Sequence, residues 1–204
     1  MTRSFPHVAL KAVAERSRRP MRFFLRLFFD KAYLTGRHFD QGLSGYIWAF
    51  RAIWHRNILR LAPPLKFPAS YRSHISNPQN ISLHPDDLNN LQSPGIYLQN
   101  FMGRIVIGKG SYIAPNVGII TANHDPENLD SHLPSGDVHI GEKCWVGMNA
   151  VILPGVILGN GTIVGAGSVV TKSFPDGSCV IAGNPARMLR EVSPNSEHSQ
   201  SFTE

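Results

Sequence analysis

His124 is the residue whose type and position best suit acid–base chemistry. It ends a regular six-residue unit that begins at Ile119, and a polar, turn-rich stretch follows it over residues 125–139. A histidine at such a point is held by ordered chain yet stays accessible, and its imidazole titrates near neutral pH. The position therefore predicts a general base; the alternative is a turn histidine that caps the loop.

Other polar groups near this stretch could assist or compete with His124. His132 and His139 lie in or beside it, and we expect them to be solvent-facing or structural. Three carboxylates of the loop are candidates for orienting the imidazole, and none is favoured: Asp125, Glu127 and Asp130.

The sequence gives no basis for cysteine or metal chemistry. Cys144 and Cys179 are too few for a disulfide framework or a cysteine metal motif, and we expect buried free thiols. A zinc site of the γ-carbonic anhydrase kind is a rival interpretation, with His84, His124 and His132 as ligands. The close histidine pair that such a site needs is absent, so we predict no metal.

A strict period of six residues positions these groups. Between Ile140 and Pro175 six units follow one another, each led by a branched aliphatic residue. Position two is glycine in four of them, and position five is mostly small. The leading residues are Ile140, Val146, Ile152, Leu158, Val164 and Val170. Earlier units are led by Ile75, Ile81, Ile107, Ile113 and Ile119, and residues 86–94 interrupt them.

A period of six fits neither an α-helix nor an alternating strand, because their periods are 3.6 and 2. It fits short strands on successive faces of a prism, with the leading residue inside and glycine at position two letting the backbone turn. Three units make one coil, so the eleven units predict roughly four stacked coils. Such a prism is too narrow for an internal site. A site must lie outside it, which makes oligomerisation close to a functional requirement.

The N-terminal part has a different character. Residues 1–60 hold 12 Lys or Arg and 3 Asp or Glu, a net charge of +9 against +6 for the chain. We predict a basic, aromatic-rich helical segment and linker over residues 1–70, the β-helix over 71–192 and a disordered polar tail over 193–204. We predict neither a secretory signal nor a membrane-spanning helix.

Two aromatic clusters in this segment have alternative interpretations. Phe23, Phe24, Leu27 and Phe28 could contact an anionic lipid surface or pack against the protein or a neighbouring subunit. For the second cluster we favour packing against the protein or a neighbouring subunit. Its members are Tyr46, Trp48, Phe50, Ile53 and Trp54.

Residues 75–191 resemble the hexapeptide-repeat acetyltransferases. The most specific blocks are Cys144-Trp-Val-Gly-Met-Asn-Ala-Val-Ile-Leu-Pro-Gly-Val, Gly165-Ala-Gly-Ser-Val-Val-Thr-Lys and Gly183-Asn-Pro-Ala-Arg. His84-Pro-Asp-Asp-Leu-Asn-Asn and Asn123-His-Asp look like the acetyltransferases of colanic acid, capsule and exopolysaccharide biosynthesis. The resemblance implies a left-handed parallel β-helix, a homotrimer and active sites between adjacent subunits.

The resemblance also implies roles for particular residues. His124 matches the catalytic base, and Asn100 aligns with a substrate-binding asparagine, although an asparagine in a tight turn is the alternative. Trp145 could line the coenzyme A groove or pack between subunits. The acidic acceptor-binding residue of the sugar acetyltransferases has no match here, which leaves the acceptor open. The residues that match coenzyme A contacts are Met148, Ala166, Thr171, Lys172, Arg187 and Arg190.

The implied function is transfer of an acetyl group from acetyl-coenzyme A to a hydroxyl of a sugar or polysaccharide precursor. The alternatives are N-acetylation of an amino sugar and a non-enzymatic β-helix scaffold. No metal and no nucleic acid is expected. We expect a cytoplasmic protein, with peripheral contact at the inner face of the plasma membrane through the basic segment.

Overall fold

A computed structural model describes residues 18–192 of the chain. The described residues form two compact units that divide between Tyr71 and Arg72. The predicted disordered tail, residues 193–204, lies outside the described residues.

The first unit, residues 18–71, is helical, as expected for the described part of the N-terminal segment. Its elements are α1 (residues 18–25), a 3₁₀ turn (Lys31–Tyr33), a π-helical turn (Arg37–Gln41), α2 (Ser44–Ala52) and a π-helical continuation of α2 (Ile53–Ile58). Within residues 18–192, the helices are too short or too polar to cross a bilayer.

A buried arginine ties the end of this unit together. The guanidinium of Arg56 donates to the carbonyl oxygens of Pro63 (2.7 Å), Ser70 (2.6 Å) and Ala69 (3.2 Å). Burial lowers the pKa of Arg56 to about 10. The proline-rich linker therefore folds back onto the helix, because its carbonyl groups have a buried cation as their partner.

Part of the second aromatic cluster packs within this unit, and part of it is exposed on the single chain. Tyr46 and Ile53 are buried, and Tyr46 meets Phe39 edge-on at 5.0 Å between ring centroids. Phe50 and Trp54 are 43% and 53% exposed. In the first cluster, Phe23, Phe24 and Leu27 are likewise exposed.

The second unit is built from three mainly parallel sheets whose strands come from successive turns of the chain. The first face contains β1 (His74–Ile75), β3 (Tyr97–Gln99), β6 (Gly118–Ile120), β11 (Val151–Ile152) and β14 (Val169–Val170). The second face contains β2 (Ile81–Leu83), β4 (Ile105–Ile107), β9 (Val138–Ile140) and β12 (Ile157–Leu158). The third contains β5 (Tyr112–Ile113), β10 (Trp145–Val146), β13 (Ile163–Val164), β15 (Cys179–Gly183) and the antiparallel β16 (Ala186–Glu191).

The strand register stacks the leading residues into columns, one on each face. The column of the first face is Ile75, Leu98, Ile119, Ile152 and Val170. That of the second face is Leu83, Ile107, Ile140, Leu158 and Phe174. That of the third face is Ile113, Val146, Val164 and Ile181. These side chains are buried or half-buried, which confirms the expected β-helix architecture.

The first turns of the coil differ from the prediction. Ile81 does not lead a unit, because it pairs with Ile105, and the column position of β2 is Leu83. Leu98 occupies a column position that the repeat pattern did not reveal. The first face therefore has five strands, one level more than the four coils predicted.

The interruption after His84 replaces a strand in the first coil. A 3₁₀ segment, Pro85–Gln92, takes the place of a third-face strand in the first coil. The amide of buried Asn90 donates to Ser111 O (2.8 Å) and accepts from Ile113 N (2.9 Å), while Asp87 accepts from Gly110 N (2.8 Å). These side chains bind the backbone of the next coil where a strand would otherwise do so.

The glycines at position two have a different role from the one predicted. Within the repeats that begin at Ile107 and at Ile140, the residues with left-handed backbone lie at position four, among them Asn149 (φ 61°) and Gly167 (φ 69°). Position two is instead where adjacent coils approach most closely. A Cβ atom on Gly147 would lie 2.7 Å from Ala166 N and 2.8 Å from Val164 O of the next coil. Glycine is required there because a side chain would push the coils apart.

We therefore expect Gly147→Ala to lower the free energy of unfolding by about 1–3 kcal/mol, the usual cost of inserting a group into close-packed backbone. Gly118→Ala is the matched control, since the nearest atoms to its added Cβ are the Val151 methyl groups, the closest at 3.8 Å. That variant should stay within about 0.5 kcal/mol of the parent protein. Chemical denaturation followed by circular dichroism measures both, and equal stability of the two variants would contradict the close approach.

Candidate functional site

The candidate base, His124, lies where the third coil leaves the prism.

 The chain departs from the first face after Ile120 and rejoins the second face at β9. Between them, β7 (His124–Asp125) and β8 (Asn128–His132) form an antiparallel hairpin. His124 and His132 are cross-strand partners in this hairpin, and both are exposed. His124 is therefore held by paired backbone and remains open to solvent.

A backbone carbonyl orients the imidazole of His124. Its Nδ1 lies 2.7 Å from the carbonyl oxygen of Leu129. Because a carbonyl oxygen only accepts, Nδ1 carries the hydrogen, and in the neutral ring Nε2 then carries the lone pair. The ring is thus set to accept a proton at Nε2, which is the arrangement that a general base requires.

The carboxylates suggested by the sequence do not make this contact. Asp125 instead accepts from the backbone N–H of Glu127 at 2.9 Å, within the turn of the hairpin. The sequence had no signal for the true partner, because every residue has a carbonyl group and only the hairpin register aims that of Leu129 at His124.

His132 packs against the candidate base, which gives it a structural role that its sequence context left open. The two imidazole centroids are 4.4 Å apart with a tilt of 33°. The ring of Phe101 meets His132 edge-on at 5.2 Å. Phe101, His132 and His124 therefore form a continuous row of rings that limits how the His124 side chain can turn.

Asn100, for which the resemblance implies substrate binding, has a fully buried side chain. The amide nitrogen donates to Asn77 O at 2.6 Å, and the amide oxygen accepts from Asn77 N at 3.0 Å. Asn100 therefore holds the turn of the preceding coil, and its role in substrate binding stays a prediction.

Three of the residues matched to coenzyme A contacts lie along one edge of the prism, between the third and first faces. Met148 and Ala166 are exposed at equivalent positions of successive coils, and Gly167 N donates to Met148 O at 2.8 Å. Arg187 is the strand partner of Ala182, and the Cβ of Ala182 lies close to Gly165 of the preceding coil. We call this row the Met148 edge.

Thr171 and Lys172 lie on a different edge, between the first and second faces. This edge also carries the hairpin of His124, and we call it the hairpin edge. The ammonium group of Lys172 lies over the ring of Phe174, 5.6 Å from its centroid. Lys172 and Met188 line a pocket of about 260 Å³ at this end of the prism.

Arg190 lies in β16 opposite Val180, and its guanidinium donates to Glu191 O at 3.4 Å. The six predicted contact residues are therefore distributed over the two edges and the antiparallel β16.

Trp145 is 54% exposed on the third face, beside Tyr112 of the neighbouring coil, which is 51% exposed. Both rings point outward and present apolar surface there.

Both cysteines are buried and unpaired. The thiol of Cys144 donates to Gly159 O at 3.2 Å, and burial raises its pKa. A raised pKa keeps the sulfur protonated, so Cys144 is unsuited to nucleophilic attack. Among residues 18–192, there is no group of three or more His, Cys, Asp or Glu side chains that could hold a metal ion.

The repeats of the β-helix are similar to those of a known family. Residues 137–172 match the family model described as bacterial transferase hexapeptide (six repeats). The chain is thus related to the hexapeptide-repeat acetyltransferases, and the resemblance seen in the sequence is confirmed.

Individual relatives refine this relationship. The chain is 36% identical over 97 residues to the galactoside O-acetyltransferase of Escherichia coli (strain K12), covering 46% of this chain and 47% of that protein. It is 40% identical over 90 residues to a protein of the same strain named for colanic acid biosynthesis, the acetyltransferase WcaF, covering 44% and 49%. The match spans about half the length of these relatives.

The structure is also similar to a solved galactoside acetyltransferase in complex with coenzyme A. The TM-score is 0.50 at 27% sequence identity, and the match covers 65% of this chain and 68% of the other. The similarity therefore extends beyond the six repeats to a larger part of the β-helix.

The burial of the two thiols predicts their reactivity. At pH 8, the folded protein should react with a soluble aromatic disulfide reagent at least about 100-fold more slowly than the denatured chain, because the sulfur atoms are inaccessible and the raised pKa of Cys144 keeps its thiol protonated. Absorbance of the released thiolate measures both rates. Rapid labelling of the folded protein would contradict the burial.

Proposed function

We propose that this protein transfers an acetyl group from acetyl-coenzyme A to a hydroxyl of a sugar or polysaccharide precursor. The observation that carries the proposal is the His124 imidazole, which is exposed and has its Nδ1 bound to the Leu129 carbonyl. The relationship to acetyltransferases supports acetyl-coenzyme A as the donor.

The proposed reaction is a direct transfer. Nε2 of His124 accepts the proton of the acceptor hydroxyl as its oxygen attacks the thioester carbonyl. The tetrahedral intermediate then collapses, the carbon–sulfur bond breaks, and the imidazolium returns the proton to the departing thiolate. The Leu129 carbonyl accepts from Nδ1–H throughout, so it stabilises the imidazolium while His124 carries the proton. The buried cysteines take no part.

For the donor, we assign the phosphates of coenzyme A to Lys172 and Arg187, whose cationic groups suit phosphate oxygens. The exposed backbone around Met148 and Ala166 suits the pantetheine arm, which needs hydrogen-bond partners along a narrow path. Thr171 and Arg190 are further contacts in this proposal.

The separation of the two edges supports a site shared between subunits. In one chain, His124 lies on the hairpin edge, whereas Met148 and Ala166 lie on the Met148 edge, with the first face between them. A neighbouring copy that places its Met148 edge beside the hairpin edge would complete the site. We propose a homotrimer of left-handed β-helices, in which Trp145 and Tyr112 provide apolar contact surface.

The acceptor is proposed at the level of its chemistry. The named relatives act on galactosides or carry the name of colanic acid biosynthesis, which favours a carbohydrate hydroxyl. Asn100, the residue matched to acceptor binding, is buried, and exposed Phe101, which follows it in the chain, offers an aromatic face to a sugar ring. A cytoplasmic location, with peripheral membrane contact through the basic segment, stays a prediction.

His124→Ala tests the proposed base. We expect the turnover number to fall roughly 10²–10⁴-fold, while acetyl-coenzyme A still binds. Release of free coenzyme A, measured with a panel of glycosyl and lipid-linked sugar acceptors, gives the turnover number, and calorimetry gives the binding. His139→Ala, an exposed histidine on β9, is the control and should keep its activity. Full activity of His124→Ala would remove His124 as the base.

Lys172→Ala and Arg187→Ala test the donor site. Each should raise the KM for acetyl-coenzyme A about tenfold and leave kcat within about twofold, since a charged hydrogen bond to phosphate contributes roughly 1.5–3 kcal/mol to binding. Lys109→Ala removes an exposed cation on another coil and serves as the control. An unchanged KM in both variants would show that the phosphates bind elsewhere.

A further inference from the structure

The first unit exposes an apolar stripe that its own packing does not use. From Leu43, the residue before α2, to Ile58, the last residue of the π-helical continuation, five apolar side chains recur at intervals of three or four residues and are each 43–58% exposed. The opposite side of the same helix, with Tyr46, Ala49 and Ile53, is buried. The five stripe residues are Leu43, Ile47, Phe50, Trp54 and Ile58. This helix therefore has a second apolar face, directed to solvent.

The helix α1 extends this surface. The ring of Phe24 stacks on that of Phe50, with centroids 6.4 Å apart and planes 18° apart. Phe23 and Leu27 beside it are 72% and 73% exposed. The stripe and these α1 side chains together form one surface, which we call the docking face.

A group of arginines lies beside the docking face. A pocket of about 390 Å³ is lined by Phe23 and four arginines. They are Arg18, Arg19, Arg22 and Arg26. Arg22 is fixed in place by an ion pair with Asp40 (2.8 Å) and a hydrogen bond to the Tyr46 hydroxyl (3.1 Å). Phe23 therefore links the cationic pocket directly to the exposed apolar surface.

The charge of this unit selects among possible occupants. Residues 18–71 contain ten Lys or Arg and two Asp or Glu, a net charge of +8 (10 − 2). One of the two acidic groups, Asp40, is already paired with Arg22. A second copy of such a surface would be repelled, whereas an anionic surface would be attracted. Apolar side chains beside arginines match a phospholipid bilayer, with acyl chains below and phosphate groups at the level of the arginines.

We propose that the docking face binds the surface of an anionic phospholipid bilayer. The stripe and the exposed α1 side chains insert among the acyl chains, and the arginine pocket receives lipid phosphates. The docking face includes Phe50 and Trp54, for which the sequence favoured packing against the protein or a neighbouring subunit. Membrane binding by this face does not depend on the proposed acetyl transfer, so each can fail without the other.

Sedimentation of the full chain with vesicles tests the docking face. The protein should bind vesicles of phosphatidylcholine with about 30 mol% phosphatidylglycerol and bind phosphatidylcholine alone far more weakly. Ile47→Ser/Trp54→Ser should lower binding at least tenfold, while Leu59→Ser, which changes an exposed leucine outside the stripe, should keep the binding.

The arginines are tested separately. Arg19→Glu/Arg26→Glu should lower binding to the anionic vesicles roughly 25-fold or more. Lys109→Glu/Lys143→Glu makes the same change in net charge on the β-helix and should retain most of the binding.

Two further measurements separate the bilayer from other occupants. Trp54 fluorescence should shift to the blue on vesicle addition, and Trp54→Phe should bind vesicles but lose most of that shift. Analytical ultracentrifugation without lipid should give the same oligomeric state for the parent chain and the stripe variant. Dissociation of the stripe variant, or vesicle binding equal to that of the parent chain, would overturn the proposal.

Discussion

The close stacking of successive coils is the constraint on which the β-helix depends. Each coil forms parallel strand pairs with the next, and the backbones approach so closely at position two that only glycine fits at Gly147. The same register aligns the aliphatic columns, since a branched residue at every sixth position meets its equivalent one coil away. Strand pairing, glycine placement and core formation are thus consequences of one repeat.

The candidate site arises where this repeat is suspended. The third coil inserts a hairpin between the first and second faces, and the regular strands on either side fix its two ends. Within the hairpin, antiparallel pairing brings Leu129 O to His124 Nδ1 and His132 beside the His124 ring. The rigid prism therefore fixes the position of His124, while the hairpin orients its ring and places the hydrogen on Nδ1.

The two units of the chain meet different physical requirements. The β-helix buries its apolar residues in columns and keeps its predicted donor residues on exposed edges. The helical unit buries one apolar face of α2 and leaves a second exposed beside a group of arginines. An exposed apolar face of this extent is unusual for a protein surface that contacts only water, and it indicates an interaction.

The sequence alone determined the architecture of the β-helix, because few structures have a six-residue period. From Ile140 to Val170, a branched aliphatic residue occurs at every sixth position without interruption. The sequence also indicated His124 as a candidate base, because His124 ends a regular six-residue unit and a polar stretch without the repeat follows it. The tertiary structure decided what depends on register and burial. Leu98 and Leu83 entered the columns through strand pairing, and Asn100 proved to be buried against Asn77. The partner of His124 is a backbone carbonyl, and backbone groups carry no sequence signal, so only the folded hairpin could select it.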